Sequence, residues 1–592
     1  RSLNDTDPRN WPNYNSRFDA DYQQLINSFR TANPNAKIWI CLMSPIFDRH
    51  PRFQSGTRDW HEAIQKHIQR IARANGTGLI DLHTPLYKRP DLFADALHPN
   101  GEGAAIIAQT VFAAITGNYG GLRMASLYGD GMVIQRHQPV VFRGMANAAE
   151  KVNVAFNGQR QTATTGADGR WEVNFPAMEA GGPYEARITT KSQKRVIRDI
   201  YIGEVWLCSG QSNMEWPVGN TTSANDDLAQ ADQQQRLRLF NMPTLYPTDA
   251  VEWPRETLDS VNRLKLLQLG PWRKADRESV EGFSSIAYHF GRTLADSLRI
   301  PVGIICNAVG GTTTESWIDR RTLEWDFPVI LRDWYDSDFG QAWARGRALL
   351  NIANADSFAI QRHPYEPAYM FEAGMLPLRG YDVKGVAWYQ GESNAHNMEL
   401  HERLFRLLQK SWRGFFHQPD MPFLFVQLSG LNRPSWPEFR NSQRRLAAEM
   451  PHTWMTVSMD MGDSLDVHYR NKRPVGERLA RQALGHVYGH ALICESPACT
   501  KAVGDGREVR LSFDNAVGLK AQGTSLIGFE VAGEDGVYHA AAARVTGNDV
   551  TLSSPQVARP AFVRYGWQPY SRANLVNAAG LPCSTFVKEI AP

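Results

Sequence analysis

The sequence predicts an α/β protein built on a parallel, doubly wound sheet, with β-sandwich accessory modules beside it. Three observations carry this. Between about residues 201 and 490, apolar strand runs such as 302–306 and 383–389 alternate with amphipathic helical stretches, the rhythm of crossover units that set parallel strands side by side. Short alternating runs separated by Asn-Gly and Asp-Gly turns fill about 122–200, the spacing of a small β-sandwich. At 592 residues the chain exceeds what one compact core supports, so about three or four units are expected.

Taken in order, residues 1–118 mix helix and strand signals: an amphipathic stretch near 21–30, an apolar run at 37–43, a helix around 61–74 and a strand at 78–82. That is part of an α/β layer. The β module follows, with runs at 139–142, 152–156, 171–175 and 184–189. In the third unit, 201–490, strands are expected at 204–207, 302–306, 383–389 and 422–428, and helices at 285–297, 400–415 and 476–488. An aromatic-rich insertion at about 322–375 interrupts it. The remainder, 491–592, returns to β-type runs set off by Gly and Asp turns.

Composition removes several function classes. Hydrophobic residues at 42% and charged residues at 21% are globular values, which excludes disordered and fibrous chains. Lys+Arg 64 against Asp+Glu 61 leaves +3, too little for an electrostatic footprint, so no nucleic-acid partner is expected. No apolar run is long enough for a membrane span, and residues 1–15 lack the apolar core of a signal peptide. Six cysteines do not make a disulfide framework; Cys494 and Cys499 are close enough in sequence for a local bond, and two reduced thiols are the alternative.

The chemistry concentrates at strand ends. The strand Glu204-Val-Trp-Leu runs into Gly210-Gln-Ser212-Asn-Met-Glu-Trp216, which places a hydroxyl where open α/β sheets carry their sites. A serine after glycine at a strand end is also an ordinary helix N-cap. A second strand runs into Asn307-Ala-Val-Gly310-Gly311-Thr312, a third into Gln390-Gly-Glu392-Ser-Asn394-Ala, and Asp463-Ser-Leu-Asp466-Val-His468 precedes a helix. A serine hydroxyl needs a base and an oxyanion cradle to act as nucleophile, and these segments offer an imidazole, backbone N–H groups and a side-chain amide.

Those residues, with the later Ser316-Trp317, resemble the sialate O-acetylesterase family, a branch of the SGNH (GDSL-like) hydrolases that includes carbohydrate acetylesterases. The likeness extends over about 122–592 and implies a flavodoxin-like three-layer sandwich. It further implies Ser212 as nucleophile, His468 as general base, Asp466 as orienting acid, and an oxyanion hole from the backbone of Ser212 and Gly311 with the amide of Asn394. Many SGNH hydrolases place Asp three residues before His and here the spacing is two, so Asp463 and Glu392 stand as alternative acids. Trp216, Trp317 and Gln390 are substrate-binding candidates, and no metal or other cofactor is called for. The expected reaction removes acetyl groups from glycan hydroxyls through an acetyl-enzyme. An acetylated plant polysaccharide or oligosaccharide such as xyloglucan or xylan is favoured, sialate esters being the alternative. A secreted or periplasmic location suits such a substrate.

The N-terminal segment carries a partial likeness to the same hydrolases, in Leu3-Asn-Asp5 through Trp11 and in Asp95-Ala-Leu-His98-Pro. It holds no serine block of its own, so it is expected to act as a scaffold, or else to border the cleft. Aromatic residues of the insertion, Trp325, Trp334, Tyr335 and Trp343, are further candidates for sugar stacking. Arg320, Arg321 or Arg433 would suit an acidic sugar. A non-catalytic glycan-binding protein and a long-chain ester hydrolase are the competing classes.

Overall fold

The computed structural model describes residues 11–51 and 57–591. In the N-terminal unit, strands β1 (Trp39–Cys41) and β2 (Gly78–Ile80) pair in parallel. Helices Trp11–Ala32, Thr57–Asn75 and Gly101–Thr116 flank them. Trp60, Ile64, Ile68 and Ile71 recur at helical spacing and bury one face against Trp11, Ile26 and Ile40. Most of the Asn-containing block, residues 3–10, lies outside the described residues. This unit packs on the insertion: Arg321 pairs with Glu62 at 3.1 Å, Tyr87 hydrogen-bonds Glu324, and Arg362 donates to the Lys88 carbonyl at 3.0 Å.

The β module is formed by β3 (Val133–Gln135), β4 (Val140–Met145), β5 (Lys151–Phe156), β6 (Gln159–Thr164), β7 (Arg170–Phe175), β8 (Gly181–Thr189) and β9 (Lys194–Gly210). Antiparallel β4–β7 faces the β6–β5–β8–β9 sheet. On β7, Trp171, Val173 and Phe175 are buried while Arg170, Glu172 and Asn174 are exposed, the period-two pattern of a strand with one face in a core. Asn157 and Gly158, both at positive φ (46° and 74°), close the β5–β6 hairpin as its two-residue turn requires.

The boundary expected at 200/201 falls inside one strand. β9 pairs with β8 through its first half, and through Glu204–Gly210 it becomes the middle strand of the large sheet. The remaining strands of that sheet are β10 (Gln234–Asn241), β11 (Trp272–Ala275), β12 (Val302–Cys306), β13 (Gly385–Tyr389), β14 (Phe423–Val426) and β15 (Thr453–Thr456). The order is β11-β10-β12-β9-β13-β14-β15, parallel except for the edge strand β11. β12 and β13 are buried along their whole length, as strands covered by helices on both faces must be. Register pairs Cys306 with Cys208 and Tyr389 with Gly210, so the segments after β9, β12 and β13 emerge together at one edge.

The C-terminal residues form antiparallel β-sheets, among them 498–505 with 508–514 and 529–532 with 562–565. Arg440, on helix Trp436–Glu449 beside the large sheet, is buried and donates to the carbonyls of Gly566, Gln568 and Pro569. Burial pushes its guanidinium down to about 9, and these carbonyls, with Thr585 Oγ1 accepting from Nε at 3.0 Å, are what satisfy it. All six cysteines are free, and the local Cys494–Cys499 bond does not form. Cys499 is buried on its strand, while Cys494 lies 3.6 Å from His486 Nε2. Among the described residues no helix is long and apolar enough to cross a membrane.

Candidate active site

Ser212 stands directly past the carboxyl end of β9. At Gly210, β9 and β13 approach so closely that a Cβ would lie 2.0 Å from the Tyr389 carbonyl oxygen, and its φ of +142° is one that residues with a side chain rarely adopt. The chain leaves the sheet there, and the one-turn helix Ser212–Glu215 follows at once. His468 arrives on the loop between β15 and helix Arg473–Gln482. Its Nε2 lies 2.8 Å from Ser212 Oγ, within one hydrogen bond for proton transfer.

One neighbour holds the imidazole and another acts on it through charge. Trp216 stacks on its ring with centroids 5.0 Å apart and planes 21° from parallel, and the indole N–H is anchored to the Asn220 carbonyl at 3.2 Å. Lys472 is buried beneath, 3.6 Å from the Tyr469 ring centroid, and donates to Asn213 Oδ1. Burial pushes its ammonium down to about 7, against the pull of Glu392 and Asp466. Burial first and the Lys472 charge second keep His468 below the ordinary imidazole range, which favours the neutral form a base needs.

The three acids differ in place. Asp466 Oδ1 accepts the backbone N–H of His468 at 2.8 Å and stands 3.9 Å from Nδ1, too far for a hydrogen bond to the ring. With one residue between the partners instead of two, the carboxylate meets the backbone before it can reach the imidazole. Asp463 accepts the N–H groups of Leu465 and Asp466, which lower its pKa, and so shapes the loop. Glu392 is buried, accepts from Asn213 Nδ2, and is raised by that burial. Asn213 also donates to the Val467 carbonyl at 3.1 Å, so Glu392, Asn213 and Lys472 form a network behind the serine and the histidine loop.

The oxyanion side departs from expectation. The N–H groups of Ser212 and Gly311 have no acceptor among the described residues, and both residues line the same cavity. Gly311 has φ +76°, and a Cβ there would overlap the Tyr365 hydroxyl at 2.0 Å. Its neighbour Gly310 is fixed by an N–H to Glu215 Oε2 bond of 2.7 Å, with Glu215 pushed up to about 7 by burial. Asn394, however, is turned inward. Its Nδ2 donates to Glu315 Oε2 at 3.0 Å and its Oδ1 accepts from Thr314 and Gln390. It braces the loop after β12 and does not line the cavity. Gln390 is likewise committed, to Thr312, Thr314 and Asn394, and does not line the cavity.

Gln211, unsignalled by sequence reasoning beyond its place beside the serine, does line the cavity. Its Oε1 accepts the N–H groups of Gly391 and Ser393, both at 3.3 Å, which fixes the amide's orientation. Its Nε2 has no partner among the described residues.

Trp317 is also a correction: it is fully buried, its indole donates to Thr312 Oγ1, and it packs edge-on against Trp388 and Trp412. A large apolar ring at the sheet surface follows the hydrophobic effect into the core. Trp216 is spent on His468, Trp325 lies under Arg321, and Trp334 stacks on the buried His363. Trp343 lines the cavity, as do Arg347 and Arg433. Arg320 is locked to Glu372 and Arg321 to Glu62. Ser212 and His468 sit in the wall of this cavity, which measures about 660 Å3, and its lining falls within 211–468, with no contribution from the described N-terminal unit.

The profile of the "GDSL-like Lipase/Acylhydrolase family" matches residues 2–106, and that of "Carbohydrate esterase, sialic acid-specific acetylesterase" matches 341–485. The chain is 30% identical to the sialate O-acetylesterase of Homo sapiens over 408 residues, 62% of this chain and 72% of that one. It is 29% identical to the Mus musculus sialate O-acetylesterase over 416 residues, 62% and 74% of the two chains. The crystal structure of a carbohydrate acetylesterase from Xanthomonas citri superposes with a TM-score of 0.66 at 31% identity, over 79% of this chain and 99% of that one.

Proposed function

The chain belongs to the sialate O-acetylesterase family of carboxylic ester hydrolases, and from that premise we propose that Ser212 and His468 remove acetyl groups from the hydroxyls of a carbohydrate. The observation that carries this is the 2.8 Å contact between Ser212 Oγ and His468 Nε2 in the wall of the large cavity. His468 takes the serine proton as Oγ attacks the acetyl carbonyl. The N–H groups of Ser212 and Gly311 receive the oxyanion, with the Gln211 amide beside them. The imidazolium then protonates the departing sugar oxygen. Water, deprotonated by the same imidazole, attacks the acetyl-enzyme and releases acetate. Asp466 acts through the backbone of His468, and the stacked Trp216 takes over much of the ring's orientation.

As substrate we propose an acetylated plant polysaccharide or its oligosaccharides, of the xyloglucan or xylan kind, handled by an enzyme that is secreted or periplasmic. The breadth of the cavity and the neutral amide and hydroxyl groups along it, such as Asn241, Thr244 and Thr248, support a sugar held by hydrogen bonds. A specific observation favours a sialate ester as the second reading: Arg347 and Arg433 line the cavity without an ion pair among the described residues, and Arg347 Nε is buried without a partner. A guanidinium in that state is a ready carboxylate receptor. Acetate release measured across acetylated xyloglucan, xylan and O-acetylated sialic acid separates the two. A preference of about tenfold or more for the neutral glycans supports the first, and a preference for the sialate ester that is lost in Arg347→Ala replaces it with the second.

A further inference from the structure

The catalytic cavity does not end at its own walls. A second pocket of about 230 Å3 opens beside it, and Asn241, Pro243 and Gly282 line both. Asn241 is the last residue of β10, whose register sets it level with Cys306 at the edge where the serine emerges. Its side-chain amide has no hydrogen-bond partner among the described residues, so donor and acceptor are both available at the junction. Farther out lie Gln268, exposed and without a side-chain partner among the described residues, and Arg273 paired with Glu278 at 3.3 Å. The ion pair leaves this pocket close to neutral while offering donors and acceptors side by side, and the rings of Pro243 and Pro271 give it apolar patches. Vicinal hydroxyls above a flat C–H face are the features of a neutral pyranose that match such a surface.

We propose that this second pocket is a binding subsite for a further neutral sugar unit of the substrate, joined to the acetylated unit held at Ser212, so that the enzyme acts better on acetylated oligosaccharides than on acetylated monosaccharides. This rests on the acetylesterase reading above. Gly282 marks the passage between the two spaces. It has ordinary backbone (φ −90°), and an added Cβ would meet nothing within 4 Å, so a large side chain there enters the passage without displacing the fold.

The test compares kcat/KM for chemically acetylated xylobiose and cellobiose with that for the acetylated monosaccharides, and uses p-nitrophenyl acetate as the small ester. The disaccharide-to-monosaccharide ratio is expected at about ten or more in the native protein, falling toward one in Arg273→Ala with Gln268→Ala and, independently, in Gly282→Tyr. The loss should sit mainly in KM, because the lining of the pocket includes neither Ser212 nor His468. A native ratio near one, or a ratio that none of the variants moves, overturns the proposal. No hydrolysis of any ester, p-nitrophenyl acetate included, would instead remove the acetylesterase reading beneath it.

Discussion

Asp95 with His98 and Asp466 with His468 place the same two residue types in loops that lead into helices, and the two pairs have opposite merits. In the N-terminal unit the aspartate reaches His98 Nδ1 at 2.7 Å and also accepts its backbone N–H. That is the better orienting geometry, and those bonds hold Asp95 well below the usual carboxylate range. Yet the His98 side chain is 71% exposed, and its Nε2 has no hydrogen-bond partner among the described residues. His468 has the poorer aspartate contact, 3.9 Å, but it is half-buried, stacked by Trp216, and 2.8 Å from a serine hydroxyl. The difference teaches that a well-formed Asp–His pair does not make a site. A nucleophile within reach and a partly desolvated ring do, because proton transfer needs contact and a base needs to be neutral.

The largest expected effect tests that contrast directly. Ser212→Ala should lower acetate release by roughly 10,000-fold or more, while His98→Ala leaves the rate where it was; both are read with p-nitrophenyl acetate. A comparable loss in His98→Ala would mean that the N-terminal pair takes part in turnover. A smaller effect is expected at the acid. Where an aspartate holds the imidazole tautomer its loss costs roughly 10,000-fold in kcat; with a 3.9 Å gap and a 58% exposed carboxylate, Asp466→Asn should cost only about tenfold. A loss near the larger figure would show that the pair closes up when substrate binds. The smallest effect is on pH. Neutral His468 is required, and its lowered pKa keeps the protein active below the range of an ordinary histidine. Lys472 is charged there, because its own pKa lies at about 7. Removing that charge in Lys472→Met raises the pKa of His468, so the acid limb of kcat/KM should move to higher pH. Asp466 and Arg347 also act on the ring and remain in place. An unmoved limb would assign the depression to burial alone.

Legibility followed the physics of each element. β12 is apolar throughout and was readable end to end, and so was the helix Ser285–Leu298 to within a residue. β10 was not, because Gln234-Gln-Arg opens it with exposed or half-exposed polar residues. β15 has only four residues, too few to show a period. β9 crossed an expected domain boundary because it carries no proline, and Gly203, between its halves, stays within the strand. Within the site, Ser212, Gly311 and His468 could be picked out since each follows a strand or precedes a helix. Asn394 and Trp317 misled, since residue type alone does not reveal which way a side chain turns.

From its sequence alone the chain determined its class, a parallel sheet with serine, glycine loop and histidine delivered to one edge, because hydrophobic period and turn chemistry are local properties written along the backbone. Only the tertiary structure decided which groups face the cavity. Asn394 was drawn inward by buried Glu315 and the Thr314 loop, Trp317 sank into an aromatic cluster, and Gln211 was left pointing outward by two backbone donors. Those outcomes depend on partners distant in sequence competing for each buried polar group, and that competition is settled only when the layers pack.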